Sequence, residues 1–237
     1  MKLILIITLA SMLSLIAHAK DTVQIVCIGD SITQGGKRDR IEYTYRWPLF
    51  CKLVDAGVDF NFVGSKTEGL HKDAKWPESY RDVPFDPDHE GVYGIKTKDA
   101  LDRLPEAMTH WENVPDIALI HLGFNDKSDE DPIKAVQKPL REMIGLLREK
   151  NPNIRIFLGQ IGLNDSPEAF RIMAAVSELK KELNTAGSPV HTVNHFQGWN
   201  ARPETPESDT FDWAHPNPRG QEKMAANWFS AMRPYLK

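Results

Sequence analysis

An apolar run that stops abruptly on a glycine constrains this chain most. Residues 23–33 read VQIVCIGDSIT. A run rich in Val and Ile, closed by Gly29, Asp30 and Ser31, is the pattern of a buried strand feeding a tight turn. Ser31 then falls at the strand's carboxyl end, the edge where open α/β sheets bind ligands and display catalytic groups. The same residues fit a plain helix cap, because Ser and Asp are common there and need no chemistry to explain them. Gly-Asp-Ser alone is therefore a weak signal for catalysis.

Ahead of this run, Met1-Lys2, an apolar stretch from Leu3 to Ala17 and the small-x-small triplet Ala17-His18-Ala19 form a secretory signal peptide over residues 1–19. Its core is too short to span a membrane. The expectation is a secreted or periplasmic protein with no membrane span after cleavage, and one domain over residues 20–237. The formal net charge is −4 with both signs well mixed; without a basic stripe, nucleic acid is not an expected partner. Cys27 and Cys51 both lie in apolar runs and are expected as buried thiols ahead of a disulfide.

The rest of the chain alternates strand and helix, the order of a parallel sheet covered on both faces. Expected strands are Asp59–Val63, Asp116–Leu122, Ile154–Gly159 and Val190–Val193. Expected helices lead from Pro48 to before Gly57, and cover Pro132–Lys150, Pro167–Ala186 after a Ser166 cap, and Pro218–Tyr235. Thr97–Trp111 reads as helical but broken around Pro105. Between Gly64 and Gly94 the periodicity vanishes, and a segment of that length inside a domain is usually functional or disordered. Its aromatics favour an ordered loop. Trp76 and Tyr80, with Arg81, are candidate substrate contacts, although the two rings can equally pack the loop onto the domain. Asp86, Asp88 and His89 have no second cluster to complete a metal shell, so neither a metal nor another cofactor is expected.

Acyl transfer needs a nucleophile, a base, a group that orients the base, and donors for the developing oxyanion. Ser31, His215 and Asp212 can fill the first three roles. The backbone N–H groups of Ser31 and Gly94 and the amide of Asn125 can supply the donors. Each piece has a bland reading: a turn at Gly94, a helix cap at Asn125-Asp126, another cap at Asp212 and His215. Their order and spacing make the set hard to dismiss. GDSIT, the Gly-x-x-Gly of Gly91 to Gly94, GFND and DWAHPN follow one another across the chain.

Together these motifs resemble the SGNH, or GDSL-type, hydrolase family over nearly the whole chain after residue 19. The resemblance implies a three-layer α/β/α, flavodoxin-like fold with a five-stranded parallel sheet. It also implies a triad of Ser31, Asp212 and His215 with an oxyanion hole at Ser31, Gly94 and Asn125. Choosing Gly94 over Gly91 rests on alignment, and Trp213 fills the gap between acid and base. The serine is not in a Gly-x-Ser-x-Gly elbow, which disfavours the α/β-hydrolase fold.

The stretches HEGVYGIKT and HPNPRGQEKMA resemble acetylxylan-esterase-like carbohydrate acetylesterases. The expected activity is removal of acetyl groups from a polysaccharide or oligosaccharide, with Asp30, Trp76, Tyr80, Arg81 and Trp213 as substrate contacts. The alternatives are a lipase, lysophospholipase or thioesterase acting on longer acyl chains, and a carbohydrate-binding module that keeps the fold without the chemistry.

Overall fold

The structure, a computed structural model, describes residues 22–127, 131–160 and 166–236; the expected signal peptide lies outside them. In chain order the first elements are β1 (Val23–Gly29), α1 (Ser31–Gln34), α2 (Arg46–Asp55), β2 (Phe60–Val63), β3 (Ser79–Tyr80), β4 (Val83–Pro84) and β5 (Glu90–Gly91). Then follow α3 (Thr97–Ala107), β6 (Ile117–His121), α4 (Pro132–Lys150), β7 (Arg155–Gln160), α5 (Pro167–Leu183), β8 (Val190–Asn194) and α6 (Pro218–Met232).

Alternation along β1 sets the layers, because successive strand side chains point to opposite faces. Val26 and Ile28 join a core made with Leu101, Leu140, Ile144 and Ile172, from α3, α4 and α5. Ile25 and Cys27 join a second core with Leu49, Leu53, Met224 and Trp228, from α2 and α6. β6 repeats the division, with Ala118 and Ile120 on the first side and Ile117 and Leu119 on the second. A sheet buried on both faces explains the nearly continuous apolar runs of these strands.

The sheet order is β2-β1-β6-β7-β8, with every neighbouring pair parallel. This is the flavodoxin-like order, and its switch point lies between β1 and β6. The two-residue β5 adds a short parallel pairing to the end of β1 at Ile28 and Gly29, beyond the five strands expected.

Several boundaries differ from the sequence reading. α3 runs unbroken through Pro105; that ring is exposed near the last turn, where the proline removes one helical hydrogen bond without ending the helix. α5 ends at Leu183 rather than Ala186 because Asn184 turns extended and its side chain accepts from Val190 N. α6 gives way at Arg233 to a 3-10 turn. The 64–94 segment is ordered. It carries the β3–β4 hairpin and an antiparallel bridge between Lys66 and His89. Asp86 accepts from Phe62 N and Asp88 N, and His89 Nδ1 accepts from Gly91 N. Both cysteines are free; Cys27 is buried and Cys51 half-buried. Among the described residues no helix is long and apolar enough to cross a membrane, and no group of three or more His, Cys, Asp and Glu side chains is placed to hold a metal.

Candidate active site

The carboxyl edge gathers the ends of β1 and β6, the turn after β5 and the loop before α6. At the end of β1, Asp30 caps α1 by accepting from Ile32 N at 2.9 Å, which leaves Ser31 as the first helical residue. The Asp30 carboxyl is 1 % exposed, so it serves α1 and its surroundings rather than an open surface. Burial pushes its pKa up to about 7, with neighbouring Asp126 adding to the rise and the Ile32 amide opposing it.

His215 reaches this point from a loop that its own hydrogen bonds close. Phe211 N donates to His215 O at 2.8 Å. Asp212 Oδ1 accepts from Ala214 N and His215 N, both at 2.8 Å, an Asx-type arrangement that turns the carboxylate toward the imidazole. Its oxygens lie 3.1 and 3.0 Å from His215 Nδ1. On the other side of the ring, His215 Nε2 is 3.0 Å from Ser31 Oγ. This geometry lets the imidazole take the serine proton while the carboxylate holds the Nδ1–H tautomer. Burial works against the Asp212 charge, but Arg40 and the two amides overcome it and hold the carboxyl well below the ordinary carboxylate range.

The candidate oxyanion donors converge from the two sides of the switch point. Gly94 sits in a turn closed by Ile95 N donating to Val92 O at 3.2 Å. Its φ of +73° is the left-handed value that the third position of a type II turn requires. Gly91, the other glycine of the pair, lies under α1, where an added Cβ would come within 2.5 Å of Gln34 N. Asn125 lies in a 3-10 turn after β6 and donates from Nδ2 to Ile95 O at 2.9 Å and, weakly, to Asp30 Oδ2 at 3.4 Å. Next to it, Asp126 accepts from Thr97 N and Thr97 Oγ1. The 3-10 turn and the start of α3 are thus fastened together.

The capping alternatives are filled by other residues. Asp131 caps α4 and Asn217 caps α6, so neither Asn125 nor Asp212 and His215 serve as those caps.

Of the candidate substrate contacts, Trp213 flanks the triad. It is 64 % exposed and stacks on Phe124 with centroids 5.3 Å apart, with the Lys127 ammonium 3.7 Å from the Phe124 ring centre. Trp76 donates to Tyr43 O and lines a cleft of about 200 Å³ with Arg40 and Tyr43. Tyr80 and Arg81 are not brought to the site. The hairpin turns on Arg81 and Asp82, whose φ values of 48° and 63° are those of a type I′ turn. It is held at Asp55, the last residue of α2, by the Tyr80 hydroxyl and Arg81 Nε. That end of α2 lies toward the opposite edge of the sheet.

Two site residues carried no signal in the sequence. Arg40 ion-pairs with Asp212, and the Tyr93 ring stacks on His215 at 5.3 Å. Both lie in irregular segments, where no periodicity tells which side chains turn inward.

A parallel sheet in flavodoxin order, with Ser, His and Asp within reach of one another at its carboxyl edge, is the architecture of the GDSL/SGNH class of hydrolases. The chain matches the GDSL-like lipase/acylhydrolase family over residues 27–223 and belongs to it. Its fold is similar to a carbohydrate esterase family 3 protein from Talaromyces cellulolyticus (TM-score 0.71, 22% identity, 90% of this chain and 98% of that one). It is also similar to a family 3 carbohydrate esterase from Clostridium thermocellum (TM-score 0.68, 24% identity, 91% and 100%). A further likeness is to a GDSL-like lipase of Parabacteroides merdae (TM-score 0.64, 19% identity, 90% and 97%). No curated protein sequence matches the chain.

Proposed function

We propose that this protein is a secreted or periplasmic serine esterase that removes O-acetyl groups from a carbohydrate through an acyl-enzyme on Ser31. The observation that carries this reading is the chain of contacts from Ser31 Oγ through His215 to Asp212. His215 Nε2 takes the Ser31 proton as Oγ attacks the ester carbonyl, and Asp212 balances the imidazolium. The N–H groups of Ser31 and Gly94 and the Asn125 amide receive the oxyanion. His215 then gives the proton to the departing sugar hydroxyl. A water deprotonated by the same nitrogen attacks the acyl carbon, and collapse of the second tetrahedral intermediate frees the acid and restores Ser31.

An exposed Trp213 beside the triad supports a carbohydrate, since a flat aromatic face stacks on the apolar side of a sugar ring. The family 3 carbohydrate esterases among the fold's neighbours support the same substrate class. A longer acyl chain is the second reading, for a cavity of about 440 Å³ behind the Gly94 turn has Ile28, Val92, Ile95, Ala100 and Leu104 in its wall, alongside the charged Lys66, Glu90, Asp102, Arg103 and Glu106.

Hydrolysis of p-nitrophenyl esters from acetate to octanoate, with Ser31→Ala as control, separates these readings. Acetate as the best substrate and complete loss in Ser31→Ala support the acetylesterase. A maximum at octanoate transfers the assignment to a lipase-like enzyme, and full activity in Ser31→Ala refutes the acyl-enzyme.

A further inference from the structure

We propose that Arg40 is a positioning residue that fixes the Asp212 carboxylate against His215 by binding the same oxygen as the imidazole; this rests on the role of His215 as base given above. Arg40 comes from the polar loop between α1 and α2, a region with no part in the triad itself. Its side chain is 12 % exposed, and Nη1 lies 2.8 Å from Asp212 Oδ2. The same oxygen lies 3.0 Å from His215 Nδ1. One carboxylate oxygen therefore serves a permanent cation and the catalytic imidazole together.

The cluster extends behind Arg40. Its Nη2 lies 2.7 Å from Glu42 Oε1, on a side chain only 2 % exposed. Its guanidinium lies over the Phe211 ring at 4.8 Å. The Tyr93 hydroxyl is 3.5 Å from Arg40 Nη2 and 3.4 Å from Glu42 Oε1, while its ring covers the imidazole. The titratable and charged groups about His215 are thus Asp212 on its own loop, Arg40 and Glu42 from the loop after α1, Tyr93 after β5, Ser31 and Asp30 after β1, and Asp126 and Lys127 after β6.

In a Ser-His-Asp arrangement the carboxylate raises the affinity of the imidazole for its proton. Arg40 opposes that, because a guanidinium keeps its charge throughout the working range. Glu42, bonded to the far side of the guanidinium, offsets part of this. The guanidinium fork bridges two carboxylates, Nη1 on Asp212 and Nη2 on Glu42, and so ties Asp212 to a buried partner.

The test is the pH dependence of Ser31 labelling by a fluorophosphonate, whose rate follows the unprotonated fraction of His215 and needs no knowledge of the natural ester. The His215 imidazole titration, followed by NMR in the same proteins, is the second readout. Arg40→Gln is expected to move the acid limb to higher pH and Glu42→Gln to move it to lower pH. Arg40→Lys should keep it near the parent position. Both neutral variants remove a member of one buried cluster, so a purely structural cost slows both without separating their limbs. Coincident limbs, or shifts of the same sign, overturn the proposal. If Ser31→Ala is labelled as fast as the parent, the triad reading fails, and the proposal falls with it; if only the parent is labelled, the limb positions decide on Arg40 alone.

Discussion

Asn125→Ala tests the oxyanion hole at the point where the structure is most specific. The amide nitrogen has two hydrogens. One is committed to the Ile95 carbonyl at 2.9 Å, and the other faces the Asp30 carboxyl at 3.4 Å, too long for a strong bond. That second hydrogen is the one an oxyanion would take, exchanging a weak contact for a charge-assisted one. Removing such a donor costs about 100- to 1,000-fold in kcat, or about 3 to 4 kcal/mol of transition-state stabilisation. Losing the Ile95 contact costs about 1 kcal/mol of folding stability, the usual net worth of one such hydrogen bond. The two costs separate by assay. Steady-state hydrolysis of p-nitrophenyl acetate should show the fall in kcat with KM little changed, and urea unfolding should show the small loss of stability. A kcat within about tenfold of the parent, far above the range for a lost donor, with the fold intact, would refute the assignment of Asn125.

Two further outcomes follow. His121 is buried on β6 against His195, and burial takes its pKa down to about 4 from 6.5; as pH falls through that window the unfolded chain gains the proton first, costing about 3 kcal/mol. Asp30, with its raised folded pKa, titrates with the opposite sign over nearly the same range, so the measurement is the urea midpoint of His121→Gln relative to the parent at pH 7 and pH 4.5. The variant should gain relative stability at the lower pH, and parallel curves would count against a buried neutral His121. At the rim, Trp213→Ala should raise KM for acetylated oligosaccharides several-fold while sparing p-nitrophenyl acetate, whereas Tyr80→Ala should leave both unchanged in the same assays.

The buried strands declared themselves because a parallel sheet hides both faces, so β1 and β6 are apolar at nearly every position, Gln24 and His121 apart, rather than at alternate ones. The positions of Ser31 and Asn125 followed from the same fact, since each comes within a few residues of the end of such a strand, whereas Gly94 rests on alignment and follows a two-residue strand too short to carry a period. What stayed hidden was the partner of each site residue. Arg40 and Tyr93 lie where the backbone has no period, and Thr97 meets Asp126 across a distance that no spacing reveals. The 64–94 segment misled for a related reason. Tyr80 and Arg81 have the chemistry of a sugar contact, but two consecutive positive φ values turn their hairpin onto the end of α2, a choice of direction that composition does not encode.

That hairpin also matters for handling the molecule. Its tip, at Arg81 and Asp82, is exposed and anchored to the end of α2 remote from Ser31. A short graft between these two residues falls at the exposed tip, outside Tyr80 and Phe85, which pack against the second core. It offers an orientation handle: a protein tethered to a solid support through this turn would hold Ser31 and Trp213 outward, toward an insoluble polymer brought up from solution.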